Sequence, residues 1–172
     1  MHAVAFVLLP GPPASLEEAT EMVEKLMAPH REEWDETTRE TTGFWDYWRI
    51  GGRWGGYLEY APGQVGGFVG PTGWDSPEDG VDPARHVDVA ALGMIAELKL
   101  PYTVVTGEGV RHREDWDTFP DDAWREGVTE EERHRMIDAW RQECHERFDP
   151  WWDGFSAGLG PDVWIAVVDY HT

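Results

Sequence analysis

The stretch Ala3-Val4-Ala5-Phe6-Val7-Leu8-Leu9 is apolar at every position and runs into prolines at 10, 12 and 13. An unbroken apolar run of this length reads as a strand covered on both faces, and proline, which has no N–H for a ladder, ends it. Val163 to Tyr170 reads the same way. Together the two runs predict the middle of a sheet. Leu16, Ala19, Met22, Val23, Leu26 and Met27 recur at helical spacing behind Ser15, with Glu18 three residues on, and predict a capped helix ending near Pro29. Thr129 and Glu132 repeat that capping pattern ahead of Met136, Ile137, Trp140, Cys144 and Phe148, which predicts a second helix ending before Pro150. Tyr102 to Thr106 and Val110 to Arg113, joined by Gly107-Glu108-Gly109, predict a hairpin. Tyr57 to Tyr60 suggests a short strand, and residues 84–99 a short strand running into a short helix. The fold class that follows is α+β: a single domain over 1–172, with a mainly antiparallel sheet and helices packed on one face.

Composition narrows the function. The formal net charge of −20 opposes attraction to phosphate backbones and anionic membranes, so neither nucleic acid nor membrane is expected as a direct partner. Only Lys25 and Lys99 are lysines, so nearly all positive charge is guanidinium, the group suited to bidentate and stacked contacts. The lone cysteine, Cys144, has no second thiol for a disulfide or a zinc pair and falls on an apolar helix face, which points to a reducing, cytoplasmic setting and an inert thiol. The opening apolar run is too short and lacks the basic start of a signal peptide, and no run reaches the length of about 18 residues that spans a bilayer.

Between the predicted strands lies Phe44-Trp45-Asp46-Tyr47-Trp48-Arg49-Ile50-Gly51-Gly52-Arg53-Trp54-Gly55-Gly56-Tyr57, dense in aromatic rings, guanidinium groups and glycine. Glycine lets a ligand or another backbone approach closely, tryptophan offers a flat apolar face, and arginine offers a planar fork for phosphate or carboxylate oxygens. Trp48, Arg49, Arg53 and Trp54 are the candidate ligand residues, with His112 of the hairpin beside them. The alternative is structural: arginines lying on tryptophan faces or paired with carboxylates, and glycines marking turns. Asp169 and His171, two apart on the last strand, share one face and form a candidate base pair of residues for an enzyme, or else the polar end of a strand. The remaining histidines are scattered without metal spacing, so no metal and no cofactor are expected. Asp75, Glu78, Asp79 and Asp82 form an acidic group in the glycine- and proline-rich stretch 61–83, without EF-hand spacing. Glu32, Glu33, Asp35, Glu36 and Glu40, with the run from Glu114 to Glu132, could imitate nucleic-acid phosphates toward a cationic host protein, or serve solubility alone.

The segment from Trp45 to Gly56 resembles the W-D-x-Y-x-I-G-G-R-W-x-G signature of a family of small proteins found in phages and actinobacteria. The likeness extends to Pro101 to Thr106 with the glycine turn and His112, and to the closing Val167-Val168-Asp169-Tyr170-His171. Members usually end in V-D-C-H-I, and Tyr170 replaces that cysteine here, which counts against a thiol at this position. The resemblance implies a phage-associated accessory role and no particular reaction.

Three expectations follow: a binder of a small anionic aromatic molecule, such as a nucleotide or nucleotide-derived signal, that sequesters a host defence messenger; a hydrolase of that ligand using Asp169 and His171; and an acidic inhibitor of a host protein. A second copy of the chain is a further candidate partner.

Overall fold

Among the described residues, ten strands and two long helices follow in the order β1 (His2–Leu9), α1 (Leu16–Met27), β2 (Glu33–Asp35), β3 (Glu40–Thr42), β4 (Tyr47–Ile50), β5 (Leu58–Glu59), β6 (His86–Val87), β7 (Val89–Ala91), β8 (Thr103–Thr106), β9 (Gly109–His112), α2 (Glu130–Ala157) and β10 (Trp164–His171). The computed structural model describes residues 2–71, 84–114 and 118–171. The acidic group at Asp75, Glu78, Asp79 and Asp82 lies outside these residues.

The two apolar runs pair with each other. β10 is antiparallel to β1 from His2 opposite His171 to Leu9 opposite Trp164. A six-stranded sheet runs β4-β10-β1-β8-β9, and β7 also pairs with β10. Every pairing made by β10 is antiparallel, whereas β1 and β8 are parallel. The fold is therefore α+β with a mainly antiparallel sheet. Ala5, Val7 and Leu9 of β1 join Ala166, Val168 and Tyr170 of β10 in one buried cluster with Ala19, Val23 and Met27 of α1. On the other face Phe6 is fully buried and meets the Tyr57 ring edge-on at 5.8 Å. Cover on both faces is why β1 tolerates no polar residue between Ala3 and Leu9.

The chain forms two compact units, Met1–Arg111 with Leu159–Thr172, and His112–Gly158. In the first, the Ser15 hydroxyl caps α1 by accepting the Glu18 N–H at 3.1 Å, while the Glu18 carboxylate accepts from Ala14 N–H instead of from Ser15. In the second, the Thr129 and Glu132 capping box is complete.

Beyond Thr129 the sequence reading needs one correction. α2 continues through Pro150 to Ala157, so Trp151 and Trp152 are helical and not in a loop. Proline removes one helical hydrogen bond and crowds the preceding turn. Pro150 sits on the exposed side, and the far end is held by a ladder of rings: Phe148 to Trp151 at 5.2 Å, then Trp151 stacked on Phe155 at 5.0 Å. Residues 84–99 also differ from the sequence reading. Two short strands, β6 and β7, flank Asp88, and a 3-10 turn at Leu92–Met94 replaces the expected helix.

Candidate functional site

Trp45 opens the aromatic stretch and is core, 1% exposed, with its indole N–H donated to the Met27 carbonyl at 3.1 Å. Residues 47–50 then form β4, the outer strand beside β10. Register decides what each residue faces: Arg49 is opposite Asp169, Trp48 opposite Tyr170, and Tyr47 opposite His171. Alternation therefore puts Trp48 on the α1 side, packed against the buried cluster, and Arg49 on the Asp169 side.

After Ile50 the chain turns through Gly51 and Gly52, whose φ angles of 72° and 60° lie in the left-handed region. Each glycine lies against a buried carboxylate, Gly51 against Asp88 and Gly52 against Asp169. Both carboxylates are 1% exposed and both are satisfied. Asp88 accepts the Gly70 N–H at 2.8 Å and holds the His86 ring Nε2 at 2.7 Å, a bond that raises the His86 pKa above its ordinary value. Asp169 accepts the Arg53 backbone N–H at 3.1 Å, lies 3.0 Å from His2 Nδ1, and stands 4.0 Å from Arg49 Nε. The glycine turn of the motif is thus shaped to close over two internal anions.

A cavity of about 370 Å3 opens beside β4. Thr20 and Glu24 of α1 line one part of it, and Arg31, Tyr47, Trp48 and Arg49 line the rest, with Ile50 and Pro71. Two guanidinium groups against one carboxylate invert the sign of charge that dominates a chain of net −20. Arg49 Nε is buried without a hydrogen-bond partner, its nearest carboxylate being the Asp169 group at 4.0 Å.

Of the candidate residues, Trp48 and Arg49 both line this cavity, from opposite faces of β4. Arg53 does not line it: the residue is exposed, and its backbone N–H is what reaches Asp169. Trp54 is half-buried and turns its ring edge-on to Tyr57 at 5.9 Å. His112 is half-buried at the end of β9, in the His112–Gly158 unit. A larger cavity of about 630 Å3 in that unit is lined by Arg125, Glu126, Glu132 and Arg135 among others, mixed in charge and free of aromatic rings.

Asp169 and His171 share a face, and His2 comes between their roles. His2 takes the Asp169 carboxylate, its ring centroid lies 5.0 Å from that of His171, and His171 Nδ1 turns to Asp46 Oδ1 at 3.0 Å. The imidazole that Asp169 orients is therefore His2, and Asp46 orients His171. Arg31, Tyr47, His2 and Asp46 are additions to the sequence reading. For His2 a signal existed, since it stands on the same side of β1 as Val4 and Phe6 and faces β10. Among the described residues no group of three or more histidine, cysteine or acidic side chains could hold a metal, and no helix is long and apolar enough to cross a membrane. No family model, no curated protein and no solved structure matches this chain.

Proposed function

We infer that the cavity beside β4 holds a small anionic molecule with a flat aromatic part, a nucleotide or nucleotide-derived signal. The observation that carries this reading is that Trp48, Arg49 and Arg31 all line one recess. Stacking on an indole contributes about 1 to 3 kcal/mol per base, and a charge-assisted bond to a guanidinium about 1.5 to 3 more. A volume of about 370 Å3 is near the small end of ligand pockets, which favours a mononucleotide or one end of a larger molecule. With the phage-type motif, this supports an accessory protein that sequesters a defence messenger.

The test is thermal unfolding in the presence of a panel of mono-, di- and cyclic nucleotides. A raised midpoint that Trp48→Ala and Arg49→Ala abolish, and that Arg53→Ala leaves largely intact, supports the reading. An unchanged shift in Arg49→Ala, or no shift with any nucleotide, rejects it.

A hydrolytic reading is favoured by one contact, Asp46 to His171 at 3.0 Å, because it orients an exposed imidazole on the residue opposite Tyr47 of the cavity. Recovery of the ligand after denaturation separates the two: a sequestering protein returns it intact, and a hydrolase returns product.

A further inference from the structure

Between α1 and β4 the chain leaves the sheet and returns as a two-stranded ribbon of β2 and β3, with Trp34 opposite Thr41. Residues 31 to 39 are all exposed. Two strands with no buried face gain little stability from their own ladder, and Trp34 is 61% exposed on one of them. Proteins usually blunt such edges with short strands, charged side chains, proline, a bulge or a cover, and of these the ribbon has short strands and carboxylates. Neither proline nor lysine occurs from 31 to 44.

The ribbon is nonetheless held in one direction. At its base Glu32 N–H donates to the Trp45 carbonyl at 2.7 Å and Phe44 N–H to the His30 carbonyl at 2.8 Å. Gly43, at φ 95°, packs so tightly against the Arg31 backbone that a Cβ has no room. Because Trp45 is core, this base is fixed to the interior. At the tip the Asp35 carboxylate accepts the N–H groups of Thr37 and Thr38 at 2.7 and 3.2 Å, which also holds its pKa below the usual range. Arg39, at φ 58°, closes the turn by donating its N–H to the Asp35 carbonyl at 2.8 Å. A shape set at both ends binds a partner without a large ordering cost.

We propose that this ribbon is a docking edge for a protein partner that offers an extended, basic segment as a third strand. Alternation puts Trp34 on one face of β2 and Glu33 and Asp35 on the other, so an added strand would meet an indole on one side and carboxylates on the opposite side. Residues 31 to 44 carry five carboxylates against two guanidinium groups, which selects a cationic occupant. The proposal is independent of the cavity beside β4.

The experiment titrates the full chain with a synthetic peptide of about eight residues alternating lysine and valine, and with a matched glutamate and valine peptide, following backbone amide signals. The lysine peptide is expected to shift residues 33–35 and 40–42, to bind about tenfold more weakly to Trp34→Ala, and to weaken with added salt. Glu33→Lys should also weaken it, while Trp124→Ala, which removes another highly exposed indole, should bind as the parent does. Equal binding by the glutamate peptide, an unchanged affinity in Trp34→Ala, or no binding of the lysine peptide overturns the proposal. So does a dimer in sedimentation that Trp34→Ala dissolves, since the occupant would then be a second copy.

Discussion

Gly52 lies so close to Asp169 that a Cβ on the glycine would stand 2.5 Å from both the Cβ and Oδ2 of the aspartate. The second glycine of the motif is therefore the roof of an internal anion, and the left-handed φ of 60° is what lets the Arg53 N–H turn back onto that carboxylate.

Gly52→Ala combines an unfavourable backbone with a clash, together about 2 to 5 kcal/mol of lost stability in urea unfolding. Gly63→Ala is the comparison, because its φ of 80° is also left-handed but its Cβ would meet nothing within 4 Å. It should cost about 1 to 2 kcal/mol, the backbone part alone. Equal losses in the two variants would mean that Gly52 and Asp169 do not touch.

Asp169→Asn keeps the shape of the side chain and removes its charge. The variant should be less stable by about 1 to 3 kcal/mol, because His2 and the Arg53 N–H lose a charged acceptor. Arg49 would no longer share its charge with a carboxylate at 4.0 Å, so any anion bound beside β4 should bind more tightly, as calorimetry would register. Tighter binding in a weaker fold separates this role from simple structural support.

The His86 and Asp88 pair gives a pH signature. The hydrogen bond that the His86 ring donates to Asp88 raises the native pKa of His86 above 6.5. The proton on His86 therefore stabilises the fold fully below about 6.5, and this contribution is lost as pH rises through the raised native value. Stability measured upward from pH 6.5 should fall in the parent chain and fall less steeply in His86→Gln. Parallel profiles would show that the pair does not titrate with folding.

Pro150→Ala should restore the helical hydrogen bond that proline withholds within α2. Because Pro150 is exposed, nothing packed is lost, and a gain of about 1 to 3 kcal/mol is expected in thermal or urea unfolding. A loss would mean that a bend at Pro150 is needed to seat Trp151 and Trp152.

β1 and β10 were legible because burial on both faces leaves an unbroken apolar run, and the starts of both helices because Ser15 and Thr129 announce caps. The end of α2 was not, since the penalty of Pro150 is local while the rings of Trp151, Trp152 and Phe155 act through contacts that only the folded helix creates. Alternation placed Asp169 and His171 on one face, yet which imidazole Asp169 holds depends on the register of β1 against β10. That register brings His2, from the far end of the sequence, opposite His171. Arg31 and Glu24 are invisible as site residues for the same reason: they reach the cavity from neighbouring elements, not from the motif.

The pairing of the first strand with the last also constrains how the protein comes into being. On a ribosome adding about 5 to 20 residues per second, β1 waits roughly ten to thirty seconds for β10 to emerge. During that interval α1 and β8 emerge, but the edge of β1 that β10 will occupy stays open. Closing the sheet is thus an event of high contact order, and a nascent chain stalled before residue 164 should need chaperone protection.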